Sequence, residues 1–227
     1  MEHPLRRRTC RAMVVGAACA MLAGMAPAEP AATGAGEWDF TVLLDDKPIG
    51  RHRFVLTDGG ALRTLTSEAD FSVKLLGLTV YRYRHRATER WRGACLDALS
   101  ADTDDNGSRS HVEAGPEADG LRIAVEPAPT ASAPSAYAGC LMSFAYWNPA
   151  MKTQTRLLNA QTGLIEAVQI ARTGAGFLPV AGRTVAARAY RISGIARPVD
   201  VWYTEQGDWI GLDAVVAGGR VLSYRLR

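Results

Sequence analysis

The sequence predicts a mainly β protein, a single curved antiparallel sheet or (half-)barrel built of meandering hairpins, with a short helical lid. Three observations predict this fold class. Apolar and polar side chains alternate with period two along most of the chain, as in half-buried strands. Turn residues such as Asn-Gly and Gly-Gly separate these stretches. No helical stretch of ordinary length recurs between them, so the long crossovers of a parallel sheet are not needed.

The first 28 residues predict a secretory signal peptide. Four arginines are followed by an uncharged apolar run and by the small-residue pattern that ends at Ala28, after which we expect cleavage. A retained membrane anchor is disfavoured because Glu29 and Pro30 interrupt the apolar run too early, so no transmembrane segment is expected in the mature chain. A lipidated Cys19 remains a weaker alternative. The predicted localisation is periplasmic or secreted.

The rest of the chain predicts a flexible N-terminal segment, 29–36, and a single β-rich domain, 37–227. Of the 26 basic and 23 acidic side chains, four arginines and Glu2 lie in the predicted signal peptide, which leaves 22 of each. Nucleic-acid binding depends on a basic surface that neutralises phosphates, so this balance excludes it as an expected function.

Strands are predicted in order along the domain by alternating apolar residues. The first shared faces are Trp38, Phe40, Val42 and Leu44, then His52, Phe54 and Leu56, then Phe71, Val73 and Leu75, followed by a long strand from Leu78 to Trp91. The C-terminal third repeats the pattern with Val199, Val201 and Tyr203, with Ile210, Leu212, Ala214 and Val216, and with Leu222, Tyr224 and Leu226. These are sequential antiparallel hairpins.

A charge-free passage, 127–151, interrupts the pattern. Leu141, Phe144 and Ala145 recur at helical spacing, Asn148 is a favourable helix cap, and Pro149 suits the first position of a second short helix. We expect a helical insert at about 140–153 that covers the open end of the β structure.

Two cysteines remain after the predicted cleavage, Cys95 and Cys140. In an oxidising compartment an even pair favours a disulfide, and two buried thiols or one reactive cysteine are the alternatives. The bridge would tie the charge-free passage to the strand region near Trp91.

The strand from Val80 to Arg92 presents two different faces. Its arginines point to one side, where they either meet an anionic partner or, as we favour, pair across the sheet with acids such as Glu68, Asp70 and Asp102. The other side carries Tyr81, Tyr83, His85, Glu89 and Trp91.

These inward residues, together with the aromatic residues of the charge-free passage, define the candidate ligand site. A hydrophobic cavity with a few polar groups is typical of small-ligand binding. A packed core with satisfied histidines is the alternative reading. The candidate ligand-binding residues are Tyr81, Tyr83, His85, Trp91, Phe144, Tyr146 and Trp147.

No motif predicts a catalytic residue, a metal or a cofactor. Asp102, Asp104, Asn106, Gly107 and Glu113 match the spacing of a calcium-binding loop, but Asn106-Gly107 is also a strong two-residue hairpin signal, and we favour the hairpin. His52, His85 and His111 show no metal-ligand spacing with the cysteines.

Four passages carry a resemblance to a known family. They are TVLLDDKPIGRHRF, ERWRGACLDALSADTDDNG, CLMSFAYWNPAMKTQTRLLNAQTG and VDVWYTEQGDWIGLDAVVAGGRVLSYRLR. The chain resembles a family of exported bacterial proteins known as a domain of unknown function, which implies no activity and no catalytic residues. More loosely, the C-terminal hairpins are similar to those of periplasmic half-barrel carriers of lipids and lipoproteins, a likeness of fold that does not determine function.

Three functional hypotheses follow. The leading one is a non-enzymatic exported protein that binds an apolar ligand such as a lipid or acyl chain. The second is an enzyme acting on a small hydrophobic substrate, with His52 or His85 as general base. The third is a structural or interaction protein with a filled core.

Overall fold

The computed structural model describes residues 35–127 and 135–227. The predicted signal peptide, 1–28, and most of the predicted flexible segment lie outside the described residues, so both stay predictions. None of the described residues belongs to a helix that is long and apolar enough to cross a membrane.

The described chain is built almost entirely of strands. They are β1 (Gly36–Leu44), β2 (Lys47–Asp58), β3 (Arg63–Leu75), β4 (Leu78–Arg92), β5 (Cys95–Asp105), β6 (Ser108–Glu117), β7 (Gly120–Glu126), β8 (Ser135–Ala138), β9 (Met142–Ser143), β10 (Arg156–Leu158), β11 (Ile165–Ala167), β12 (Gln169–Val180), β13 (Arg183–Ser193), β14 (Val199–Thr204), β15 (Trp209–Val215) and β16 (Val221–Leu226). Two short 3₁₀ helices, Pro149–Thr153 and Ala217–Gly219, complete the elements.

Thirteen strands form one antiparallel sheet, which confirms the predicted fold class. Its order is β12-β13-β14-β15-β16-β1-β2-β3-β4-β5-β6-β7-β8, so two meanders meet where β16 pairs with β1. Within the described residues the sheet does not close, because β8 and β12 lie at its two edges. The second sheet has the order β11-β10-β9.

The β5–β6 connection confirms the predicted hairpin. Asn106 and Gly107 both have positive φ, the conformation that the tightest hairpin turns require. The Asp104 carboxylate accepts a hydrogen bond from the Gly107 amide at 2.8 Å. The carboxylates of Asp102 and Glu113 instead contact the ring nitrogens of His111, at 2.9 and 3.1 Å.

The arginine face of β4 is paired across the sheet, as favoured. Arg84 contacts Asp70 at 3.3 Å and Arg86 contacts Glu68 at 2.8 Å. Arg92 contacts Asp97 at 3.1 Å, whereas the expected acid Asp102 is engaged by His111. The residues between these arginines point to the opposite face of β4. That face is buried from Tyr83 to Trp91 and carries Tyr83, His85, Ala87, Glu89 and Trp91.

The predicted helical lid is wrong in two respects. Instead of a helix over 141–145, Met142–Ser143 forms the short strand β9, which pairs in parallel with β10. Only the second short helix exists, as the 3₁₀ helix Pro149–Thr153, with the Asn148 side chain accepting from the Ala150 amide at 3.1 Å. The cap residue and the helix-starting proline are therefore confirmed.

The part of the charge-free passage from Leu141 onwards also lies within the core instead of covering an end. Leu141, Met142, Met151, Leu157 and Leu158 are among the most buried side chains. Residues 141–168 are here called the inner segment, and their buried apolar side chains belong to the same hydrophobic cluster as Phe40 and Trp209 of the large sheet. Burial explains why residues 141–151 carry no charge, since an unpaired buried charge is costly.

A disulfide joins Cys95 and Cys140, as predicted. It connects the start of β5 to the start of the inner segment. The next residues continue the connection, since the Leu96 amide donates to the Leu141 carbonyl at 2.9 Å. Covalent and hydrogen bonds together hold the inner segment against the sheet.

Candidate ligand-binding site

A cavity of about 430 Å³ lies between the large sheet and the inner segment. Three parts of the chain line it. Strands β2 to β4 contribute His52, Phe54, Leu65, Ser67, His85, Ala87 and Glu89; the inner segment contributes Ser143, Phe144, Tyr146, Trp147, Asn159, Ala160, Gln161 and Glu166; and the far meander contributes Ile195, Ala196, Arg197, Val199 and Trp209.

One wall of the cavity carries two histidines, which lie in the same row across the sheet with one strand between them. Strand register places His52 on β2 opposite Ala69, which in turn is opposite His85 on β4. The two rings are 6.4 Å apart between centroids. Nδ1 of His85 shares a hydrogen bond of 2.9 Å with Thr103 Oγ1, and Nδ1 of His52 lies 3.4 Å from the Tyr224 hydroxyl.

Burial keeps both histidines neutral. It lowers the pKa of His85 to about 4. It lowers the pKa of His52 well below the ordinary value, and the neighbouring His85 adds to that effect. A neutral imidazole offers one donor and one acceptor, so this wall can exchange hydrogen bonds with a polar group without presenting a positive charge.

Glu89 adds a carboxyl group to the same cavity, farther along β4. Burial raises the pKa of Glu89 to about 7, while Ser143 and Trp91 act in the opposite direction. The Trp91 indole donates to a Glu89 oxygen at 2.9 Å. The Ser143 hydroxyl is close enough to lower the pKa of Glu89 but meets no partner at hydrogen-bond geometry. Near pH 7 this carboxyl can therefore serve as either a donor or an acceptor.

Several polar atoms of the cavity lining have no hydrogen-bond partner in the protein. Among the described residues, four buried side-chain atoms are in this state: His52 Nε2, Ser143 Oγ, Trp147 Nε1 and Asn148 Nδ2. The first three belong to residues that line the cavity. Because buried polar groups are nearly always hydrogen-bonded, this concentration marks a place where a ligand's polar group or ordered water would bind.

Aromatic rings form the apolar part of the lining. Trp209 is their centre, with its ring centroid 5.0 Å from that of Phe54 and 5.2 Å from that of Tyr146. Trp147 packs edge-on against Trp91 at 5.4 Å. Hydrogen bonds hold the aromatic residues in place, since the Tyr203 hydroxyl donates to the Tyr146 carbonyl at 2.9 Å and the Trp209 indole donates to the Gly211 carbonyl at 3.0 Å.

The structure brings four of the seven candidate residues to this cavity. His85, Phe144, Tyr146 and Trp147 line it. Trp91 is fully buried behind the lining, where it holds Glu89.

Tyr83 and Tyr81 lie elsewhere. Tyr83 belongs to a separate hydrophobic cluster with Phe71, where the two rings stack at 4.6 Å, and Tyr81 packs on the edge of that cluster.

Sequence reasoning missed other residues of the lining. The period-two pattern placed Phe54 and Glu89 on the inward faces of His52 and His85, but neither was among the seven candidate ligand-binding residues. Trp209, Asn159, Glu166 and Arg197 come from distant parts of the chain and meet the site only through tertiary packing. Among the described residues, no group of three or more histidine, cysteine, aspartate or glutamate side chains could hold a metal ion.

The fold and the cavity define an antiparallel, β-barrel-like protein with a partly open cavity between its large sheet and the inner segment. Residues 40–227 match the model of the family described as Domain of unknown function (DUF6134), and the chain belongs to that family. The family resemblance seen in the sequence is thereby confirmed. No curated protein matches the chain.

A solved structure supports the fold assignment. The chain is similar to a β-barrel-like protein of domain of unknown function DUF1849 from Brucella abortus, with a TM-score of 0.61 and 10% sequence identity. The match covers 85% of this chain and 95% of that chain. At this identity the likeness concerns the fold alone.

Proposed function

We propose that this protein binds a small amphipathic molecule in the cavity between the sheet and the inner segment, with a lipid or acyl chain as the apolar part. The observation that carries the proposal is a cavity in which aromatic rings meet polar side chains, three of which, His52, Ser143 and Trp147, each have a buried polar atom without a hydrogen-bond partner in the protein. A ligand with an apolar body and one uncharged or weakly acidic polar group matches both parts of this lining.

The size and composition of the cavity support this class of ligand. A volume of about 430 Å³ is in the usual range for small-molecule sites. Neutral histidines and a carboxyl with a pKa of about 7 accept a carboxylic acid or hydroxyl head group without burying a strong ion pair. This lining also counts against a filled core, the third hypothesis from the sequence.

Export is part of the proposal. The predicted signal peptide and the Cys95–Cys140 disulfide support an oxidising compartment, the periplasm or the exterior of the cell. The ligand would then be a molecule that reaches that compartment.

Binding of a fluorescent fatty acid, measured by titration, tests the proposal. The wild-type protein should bind the probe, and Ala160→Phe, which fills the cavity, should weaken binding by about tenfold. Ala136→Phe is the matched control, because Ala136 is exposed on β8 and the same substitution there should leave affinity unchanged. Circular dichroism checks that both variants fold.

Two outcomes would contradict ligand binding. One is the absence of probe binding by the wild-type protein together with a clean apo mass in native mass spectrometry of protein from its own host. The other is equal affinity for Ala160→Phe and Ala136→Phe, which would place the probe outside this cavity.

One observation favours an enzyme as a second candidate. His52 and His85 line the same cavity as Ser143, which brings imidazole and hydroxyl groups to one site, but the lowered pKa of both histidines makes them weak bases near pH 7. Hydrolysis of short-chain p-nitrophenyl esters would test it. Activity that is lost in both His85→Gln and Ser143→Ala would support the enzyme, and activity that survives both changes would exclude these residues as its machinery.

A further inference from the structure

The hairpin between β3 and β4 projects beyond the strands on either side. Pairing of β3 with β2 ends at Phe71, and pairing of β4 with β5 begins at Tyr83. The β3–β4 ladder nevertheless continues to the pair Leu75 and Leu78. Residues 72–82, here called the projecting ribbon, therefore form a two-stranded extension of the large sheet.

The tip of the projecting ribbon is apolar and open to solvent. Leu75, Leu76, Leu78 and Val80 are 63, 96, 72 and 51% exposed. These four are half of the strongly exposed large apolar side chains among the described residues, within a span of six positions. Single exposed leucines are ordinary, but a cluster of this kind marks an interaction surface.

The turn of the ribbon contains a leucine whose backbone conformation is unfavourable for a bulky side chain. Leu76 has a φ of +52°, in the left-handed region where a bulky side chain is unfavourable and where tight hairpin turns prefer Asn, Asp or Gly. The β5–β6 hairpin shows the ordinary solution, with Asn106 at a φ of +53°. Folding alone therefore does not account for a leucine at position 76, whereas a contact between this exposed side chain and a partner would.

The charge of the projecting ribbon selects among possible partners. Its own charged side chains are Lys74 and Arg82, both basic, and the acid beside it is Asp105 of β5, which hydrogen-bonds to Tyr81 at the base of the ribbon, away from the turn. Basic residues beside exposed aliphatic ones match an anionic lipid surface, where each cation adds to the attraction and the apolar groups enter the interface. Four side chains offer too little area for a stable protein interface, which needs about 800 Å² from each partner.

We propose that the projecting ribbon docks this protein on an anionic lipid bilayer, with Leu75, Leu76, Leu78 and Val80 entering the interface between Lys74 and Arg82. This inference does not depend on the ligand proposed for the cavity.

The strand register relates this surface to the cavity. Antiparallel alternation places the turn at Leu76-Gly77 and the β13–β14 loop, 194–198, at the same end of the sheet. Ile195, Ala196 and Arg197 of that loop line the cavity. Burial raises the pKa of Tyr81, in the ribbon, and Arg197 opposes that rise, so the loop lies close to the base of the ribbon. A docked protein would turn this part of the cavity wall towards the bilayer.

Vesicle flotation tests the docking. Protein purified from its host, with its N-terminus defined by mass spectrometry, is mixed with vesicles of phosphatidylethanolamine and phosphatidylglycerol or with phosphatidylcholine vesicles. We expect stronger binding to the anionic vesicles and a decline with added salt.

Leu76→Asn is the sharpest variant, because asparagine suits the left-handed turn position and the hairpin should fold at least as well. It should weaken vesicle partitioning by about tenfold, since it removes the most exposed leucine from the interface. Phe177→Thr is the matched control: Phe177 is also strongly exposed, lies towards the other end of the sheet, and should not change partitioning.

The remaining outcomes overturn the proposal. Absence of wild-type flotation, or equal flotation of the wild type and Leu76→Asn, would show that the ribbon does not bind the bilayer. Light scattering that finds a dimer lost in Leu76→Asn would identify the ribbon as a contact between two copies of the chain instead. Fatty-acid binding that persists in Leu76→Asn would show that the cavity is intact, so the two proposals can fail separately.

Discussion

Burial shifts the pKa values of two cavity residues, Glu89 and His85, in opposite directions. Glu89 and His85 lie on the same face of β4, and each is shifted towards its neutral form, the acid upwards and the imidazole downwards. Stability therefore depends on pH through both groups. For Glu89 the native state binds the proton more strongly than the unfolded chain, and for His85 it binds the proton more weakly.

Glu89→Gln should change stability increasingly as pH rises from 4.5 to 7, with its full effect above pH 7. The pKa of Glu89 is about 7 in the folded protein and near 4.5 when unfolded, so its favourable contribution is complete below pH 4.5 and is lost as pH rises through 7. At pH 8 the variant should be more stable than the wild type by about 3 kcal/mol, and at pH 4 the difference should be small. Urea denaturation at both pH values measures the change.

His85→Gln is the counterpart with the opposite sign. The folded pKa of about 4 lies below the unfolded value of 6.5, so wild-type stability falls as pH drops from 6.5 to 4. The variant should lose stability less steeply over that interval. Identical pH profiles for the wild type and both variants would contradict the burial assigned to this wall.

At the scale of elements, the inner segment shows how a strand-poor passage is held inside a sheet. β9, β10 and β11 provide only eight residues of regular pairing, and the 3₁₀ helix adds five. The Cys95–Cys140 bridge and the burial of Met142, Leu157 and Leu158 provide the remaining restraint. A short helix would have been marginal alone, and parallel pairing with β10 satisfies the same backbone groups.

Removal of the bridge should destabilise the protein strongly. The cysteines are 45 residues apart, for which loop entropy predicts a loss of about 4 kcal/mol in Cys95→Ser/Cys140→Ser. Urea denaturation of the double variant and of the reduced wild type should give similar losses. A loss below about 1 kcal/mol in both would mean that packing, rather than the bridge, holds the inner segment.

At the scale of the whole molecule, one pair of strands from opposite ends of the described chain joins the two meanders into a single sheet. β1 and β16 join the two meanders, with Val42 opposite Tyr224 and Leu44 opposite Leu222. The cavity draws residues from both meanders, from His52 on one side to Trp209 on the other. Because contacts of such long sequence separation join the two meanders, we expect them to unfold together as one cooperative unit.

Deletion of residues 221–227 tests this role of the β1–β16 pair. The shortened chain should lose cooperative thermal unfolding, because β1 and β15 would each keep an unpaired edge in the middle of the sheet. Val221→Ser, on the same strand but exposed, should shift the midpoint by only a few degrees. A sigmoidal transition near the wild-type temperature in the deletion variant would show that the meanders fold separately.

Much of this organisation was determined by the sequence alone. Period-two alternation identified the first four strands and the last three with most of their inward faces, although Leu75 is exposed, because strand geometry places side chains two positions apart on one face. The Asn106-Gly107 turn was predicted from the dipeptide itself. The cysteine pair was identifiable for a similar reason: after the predicted cleavage only one pairing was possible.

Only the tertiary structure decided the form of the inner segment and the composition of the cavity. Leu141, Phe144 and Ala145 have helical spacing, yet partners 15 residues away along the chain draw this region into a strand. Trp209, Glu166 and Arg197 reach the cavity through contacts that no local pattern encodes. Local periodicity indicates which face of a strand or helix is buried. The free energy of long-range packing determines which other elements cover that face.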